Sequence, residues 1–247
     1  MGIDYNQGQI AEQYQEAKTQ PWRSRIEAYS FLKVIGDVRG KKVLDVACGE
    51  GHYTRLLRRA GAARVVGLDI SERMIALARD QEAREPLGID YLVEDARTIV
   101  PQQDFDVVVA AYLLVYAQDR AELARMCRGL ACRAKSGGRF ITVTTNPDVY
   151  SFRSPDYRKY EFEMKLADHV FEGAPIELTV LDGSSFQVVN YYLPIAAHQS
   201  VFQAAGFGDF AVHMPGLSPA VELGDEGDYW DDFLNYPILV TMECVRD

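Results

Sequence analysis

The stretch Val43–Asp69, VLDVACGEGHYTRLLRRAGAARVVGLD, carries the residue types and spacing best suited to hold a ligand. It reads as a buried strand (Val43–Ala47), a glycine turn (Cys48–Gly51), a helix (His52–Ala60) and a second strand ending at Asp69. A strand that enters a glycine turn and then a helix start leaves backbone N–H groups unpaired and pointing at one spot. Gly49 and Gly51 have no Cβ, so a ligand can come close to the backbone there. Asp69 lies 18 residues beyond Gly51, where a carboxylate can accept hydrogen bonds from ribose hydroxyls. These features describe a nucleoside-binding strand–helix–strand unit. The nucleoside is not selected by a dinucleotide fingerprint, because Gly49-Glu50-Gly51-His52-Tyr53-Thr54 lacks the third glycine of G-x-G-x-x-G.

The elements that must position this turn alternate. Residues 1–40 look helical, with Ile10–Ala17 as a short amphipathic candidate and Ser24–Ile35 as a stronger one after Pro21. Ser71 is an N-cap candidate for a helix over Glu72–Arg84, which Pro86 and Gly88 end. A short strand follows at Asp90–Val93, then Phe105–Ala111, whose near-continuous apolar run suits a parallel strand buried on both faces. A helix over Arg120–Ala134, the turn Lys135-Ser136-Gly137-Gly138 and a strand over Arg139–Thr145 complete five strand–helix repeats. That alternation predicts a doubly wound α/β sheet. It breaks at residues 147–195, where prolines, aromatics and strand-like runs at Glu161–Leu166, Ile176–Leu181 and Phe186–Leu193 read as an antiparallel cap. A helix over Gln199–Ala205 and two last strands, Phe210–Met214 and Ile238–Val245, antiparallel in this reading, would bring the sheet to seven strands. The chain is thus expected to be one domain: an N-terminal helical cap (1–40), a binding core (41–146), a substrate cap (147–195) and the rest of the sheet (196–247).

Composition narrows the partners. With 247 residues, 48% of them hydrophobic, the chain has ample material for a core. A formal net charge of −10 argues against a nucleic acid or an anionic membrane as partner. Four cysteines at irregular spacing form neither a disulfide framework nor a zinc pattern, and no metal is expected. The start of the chain is polar and there is no apolar run of spanning length, so a cytoplasmic protein is expected.

The motif D-x-x-C-G-x-G, Asp45 to Gly51, resembles the first signature of class I S-adenosylmethionine-dependent methyltransferases, and further signatures fall in register behind it. The resemblance covers residues 41–146 firmly and the last 50 residues loosely. It implies a Rossmann-like, seven-stranded, mostly parallel sheet with helices on both faces, an N-terminal helical segment and an antiparallel cap insertion. It further implies that Asp45, Ala47, Gly49 and Gly51 hold the methionine part of the cofactor and Asp69 its ribose. Ile70 would lie against the adenine, Asp95 and the Ala96 backbone would read it, and the Ala111 carbonyl would take the ammonium. Tyr14 and Arg23 stand where the family often meets the methionine carboxylate. A sulfonium and an ammonium without phosphate suit a site with an extra carboxylate. Cys48 and Ser136 depart from the family's more usual glycine and proline.

A nucleic-acid amino-methyltransferase would carry a D/N-P-P-Y/F clamp after its fourth strand, whereas Ala110-Ala111-Tyr112-Leu113-Leu114 stands there. A small-molecule acceptor is therefore expected, under a lid in which Trp22, Tyr112, Tyr116, Tyr150, Tyr191 and Trp230 offer planar surfaces. His198 is the best-placed candidate base, although an acidic acceptor N–H needs none. AEQY near the start, VLDVACGEGHYTR, VVGLDISERMIALAR, EPLGIDYLVEDA and VVAAYLLVYA are also similar to the N-methyltransferases of azapteridine (toxoflavin-type) biosynthesis. That resemblance implies N-methylation of a desmethyl azapteridine, with S-adenosylhomocysteine as the second product. An O-methyltransferase of another small natural product, a nicotinamide-dependent oxidoreductase and a non-catalytic nucleoside-binding protein are the rival readings.

Overall fold

The strand that leads into the glycine turn, β1 (Lys42–Val46), sits inside a seven-stranded sheet and is buried on both sides. The computed structural model describes residues 20–99, 104–181, 186–219 and 228–247, so the expected helix over Ile10–Ala17 lies outside the described residues. With β2 (Arg64–Asp69), β3 (Asp90–Val93), β4 (Phe105–Ala111), β5 (Ala134–Thr145), β9 (Phe207–His213) and β10 (Leu239–Arg246), the sheet order is β3-β2-β1-β4-β5-β10-β9. β1 pairs in parallel with both β2 and β4. The order reverses between them, and the crevice outside such a reversal is where open α/β sheets bind ligands.

Alternate side chains of β1 serve opposite layers, as the period of a strand requires. Val43 joins a core with Ile35, Leu57 and Ile75 from helices on one face, whereas Leu44 and Val46 join Leu123, Met126 and Phe202 from helices on the other. The Ser71 cap is present, its Oγ accepting from Met74 N at 3.2 Å. The helix before β5 ends at Ala131, earlier than its apolar pattern suggests, because the chain enters β5 at Ala134 and takes the glycine turn as an irregularity within that strand. The helix Ile195–Ala204 starts earlier than expected, directly after Pro194, whose fixed φ suits an N-terminal position. Of the last two strands only β10 is reversed against the parallel set; β9, antiparallel to β10, runs in the same sense as β5.

The cap is a separate three-stranded antiparallel sheet, β6 (Phe162–Leu166), β7 (Pro175–Val180) and β8 (Phe186–Tyr191). It is fastened to the core by aromatic packing. Trp22 lies 5.5 Å from both Phe162 and Phe233, and Tyr160 stacks on Trp230 at 5.3 Å. Among the described residues no helix is long and apolar enough to cross a membrane.

Candidate functional site

Four strand ends converge on one cavity of about 260 Å³ at the carboxyl edge of the sheet. The chain leaves β1 at Ala47 (φ 59°) and β4 at Tyr112 (φ 58°), two side-chain-bearing residues in the left-handed region. Such conformations cost about 1–3 kcal/mol each and gather at functional sites. In the turn, Gly49 and Gly51 also have positive φ, and a Cβ on Gly51 would press within 2.9 Å of the Tyr91 ring. Glycine is therefore dictated there by conformation and by space.

Seven of the eleven residues expected at the cofactor line this cavity: Ala47, Gly49, Asp69, Ile70, Asp95, Ala96 and Ala111. Asp69 accepts from Gly49 N through Oδ2 and from Ser71 N through Oδ1, each at 2.9 Å, so one side chain fixes both the turn and the next helix start. A carboxylate has acceptor sites for about four bonds, so this role is compatible with receiving a ribose diol. Ile70 is 61% exposed in the cavity wall, an apolar surface suited to a planar base. Asp95 is gripped by the Arg97 guanidinium at 2.6–3.0 Å, which holds its carboxyl below the usual carboxylate range. Arg97 lines the cavity beside it. Met74, Leu113 and Met126 also line the cavity; they read in the sequence only as apolar helix or turn positions.

The other expected cofactor residues sit apart. Asp45 is buried, with Oδ2 accepting from Thr54 Oγ1 at 2.6 Å, and neither it nor Gly51 lines the cavity. Tyr14 lies outside the described residues. Arg23 belongs to a second, smaller cavity of about 60 Å³ under the cap. That cavity is lined by Trp22, Thr145, Val188 and Asn190 among others, and it shares Tyr112 and Tyr116 with the larger one.

Three expected acceptor residues, Trp22, Tyr112 and Tyr116, therefore line the smaller cavity, and the two tyrosines line the larger one as well. The other three lie elsewhere. Tyr150 accepts from Ala167 N through its hydroxyl at 3.3 Å and packs edge-on against Tyr192. Trp230 is buried in the aromatic stack of the cap. Tyr191 lines a void of about 10 Å³ together with His198. His198 is 4% exposed and bonds Pro194 O through Nδ1 at 3.1 Å, and burial pushes its pKa down.

One residue that sequence reasoning missed ties Tyr112 and Arg23 together. Glu27, on a π-helical turn spanning Arg23–Ala28, is buried and accepts from Tyr112 Oη at 2.6 Å, Tyr53 Oη at 2.7 Å and Arg23 Nη1 at 2.9 Å. It links the N-terminal segment, the helix after the glycine turn and the end of β4. Short π segments inside helices recur at functional sites.

The comparisons with known proteins bear on the same region. The family model for the methyltransferase domain matches residues 43–138. A ubiquinone biosynthesis O-methyltransferase of Stutzerimonas stutzeri is 31% identical over a gapped alignment of 152 positions that covers 56% of this chain and 64% of that protein. One from Bordetella bronchiseptica is 36% identical over 125 residues, 49% of this chain and 50% of its own length. The chain thus spans about half to just under two thirds of these curated relatives. Among solved structures, the S-adenosylmethionine dependent methyltransferase of Mesorhizobium loti has a TM-score of 0.61 at 23% identity, covering 87% of this chain and 94% of that one. At that identity the likeness concerns the fold: a Rossmann-like methyltransferase fold.

Proposed function

We propose that this chain, whose residues 43–138 match the methyltransferase-domain family, is an S-adenosylmethionine-dependent methyltransferase acting on a small planar molecule. The observation that carries the proposal is the pair of cavities sharing Tyr112 and Tyr116: one over the strand ends beside Asp69 and the glycine turn, one under the aromatic cap. The residues present fit the cofactor. Asp69 would take the ribose, Ile70 the adenine face, and the Ala111 end of β4 the ammonium, while Arg23 lines the smaller cavity that shares Tyr112 and Tyr116 with this one. When bound, S-adenosylmethionine supplies an activated methyl group on sulfur.

The chain's own contribution is then mainly placement. Glu27 holds Tyr112 and Arg23, and the cap side chains orient the acceptor and exclude water. Alignment of this kind supplies on the order of 7–11 kcal/mol of a displacement barrier. His198, enclosed in its own void, is left out of the proposed chemistry, so the acceptor must lose its proton without it. That requirement favours an electron-poor ring with an acidic N–H, in keeping with N-methylation of a desmethyl azapteridine of the toxoflavin type. A second reading, methylation of an oxygen, is favoured by the curated relatives, which are named as O-methyltransferases of ubiquinone biosynthesis.

Calorimetry tests the cofactor. S-adenosylmethionine should bind at micromolar strength and NAD should give no heat; the opposite result overturns the proposal. Asp69→Ala should weaken binding by on the order of 10- to 100-fold, the worth of one or two hydrogen bonds to a charged group. Mass spectrometry of azapteridine and phenolic acceptors incubated with the protein and cofactor then separates the two readings.

A further inference from the structure

The inner face of the cap is apolar where it covers the smaller cavity: Leu178, Val180 and Val188 line it from β7 and β8. Strand alternation puts Asn190 on the same face of β8 as Val188, and Asn190 lines the cavity too. It is only 2% exposed. Its Nδ2 donates to Thr145 Oγ1 at 2.8 Å, which orients the amide, and its Oδ1 is buried with no hydrogen-bond partner among the described residues. Leaving a buried carbonyl unpaired forfeits its hydration without replacement, and nearly all such groups in native proteins are satisfied. A valine or leucine here would continue the apolar face without that cost.

We infer that Asn190 is the specificity-determining residue of the acceptor cavity: its Oδ1 accepts a hydrogen bond from an N–H or O–H on the edge of a planar ring seated between the cap and Tyr112. The inference rests on the methyl-transfer reading above and deepens it by naming the chemistry that the acceptor must present. A site built around a buried hydrogen-bonding group rejects analogues that lack the partner far more strongly than an apolar pocket rejects a change of size. The acceptor is therefore a ring that still carries a donor, and a ring whose donors are all methylated is excluded. The same contact would discharge a fully methylated product.

The test uses two pairs of probes with the same ring, differing by two methyl groups that replace the donor hydrogens, titrated by fluorescence or calorimetry into the full chain loaded with S-adenosylhomocysteine. The Asn190 variants separate the effect of the donor from that of the added size. Lumazine has ring N–H donors and 1,3-dimethyllumazine has none; catechol has O–H donors and 1,2-dimethoxybenzene has none. At least one donor-bearing probe should bind about tenfold or more tightly than its methylated partner. Asn190→Leu and Asn190→Ala should each bring that ratio close to one, whereas Asn190→Asp, which keeps an accepting oxygen, should retain it. The pair that shows the preference distinguishes a nitrogen from an oxygen acceptor. Ratios near one in the unaltered protein, ratios unchanged in Asn190→Leu and Asn190→Ala, or no binding of any probe would each overturn the inference. Binding of S-adenosylhomocysteine to every variant is measured alongside and should not change. Its absence in the unaltered protein would sink the methyl-transfer reading itself, a result distinct from loss of the donor preference alone.

Discussion

Ionising His198 would place a charge in an enclosed space, since the ring is 4% exposed and its Nδ1 faces the Pro194 carbonyl at 3.1 Å. Burial accordingly holds its pKa below the ordinary value of 6.5. A histidine with a depressed folded-state pKa contributes stability that is complete above the unfolded value. That contribution is lost as pH falls below 6.5 towards the folded value, because the unfolded chain takes up the proton first. Melting temperature should therefore decline as pH is lowered from 7 to 5. His198→Gln, which cannot titrate, should show a flatter profile over that interval. Parallel profiles for the two proteins would mean that another group governs the acid limb. The same burial explains why a histidine that opens a helix beside the cap reads in the sequence as a base, yet stands in the fold as a packing residue between Pro194 and Phe202.

At the scale of elements, the N-terminal helix matters through its first turns. Glu27 joins three elements by accepting from Arg23, Tyr53 and Tyr112, and removing one partner of a buried charged pair costs about 3–5 kcal/mol because the other is left uncompensated. Glu27→Gln should thus lower the unfolding free energy in urea by about 3–5 kcal/mol, against about 1.5–3 kcal/mol for Tyr53→Phe, which deletes one donor to that charged group. A smaller loss for Glu27→Gln than for Tyr53→Phe would deny it the joining role. None of this was legible in the chain, where an acid four residues after an arginine reads as an ordinary solvated pair. Its other partners are 26 and 85 residues away, and only the fold brings them together. Asn190 was hidden for the same reason, with its partner Thr145 separated by 45 positions. The parallel strands were plain by contrast. Val43–Val46 and Phe105–Ala111 are apolar runs bounded by turn residues, and the strand ends carry the local signals of glycine and aspartate. The cap was legible as strands but not as a lining, since many aromatics and only two strand faces leave open which rings pack and which face the cavity.

For the molecule as a whole, the two cavities share Tyr112 and Tyr116 but differ in the rest of their lining, and this predicts how ligand and stability are linked. A cofactor that binds only the folded chain stabilises it by RT ln(1 + [L]/Kd), about 2.7 kcal/mol at a hundredfold excess over Kd. For a protein of 150–250 residues each kcal/mol moves the melting temperature by about 2–4 °C, so saturating S-adenosylmethionine should raise it by roughly 5–11 °C. Asp69→Ala should start from a lower melting temperature, because it frees the Gly49 and Ser71 amides that its carboxylate now holds. At the same cofactor concentration a roughly 10- to 100-fold weaker affinity leaves about 1.4 to 0.4 kcal/mol of that stabilisation, so the upward shift should fall to between about a half and a seventh. Asn190→Leu should keep the full shift, since it alters only the cavity under the cap. Loss of the shift in both variants would mean that the two cavities act as one site; its absence in the unaltered protein would leave the strand-end cavity without its assigned occupant.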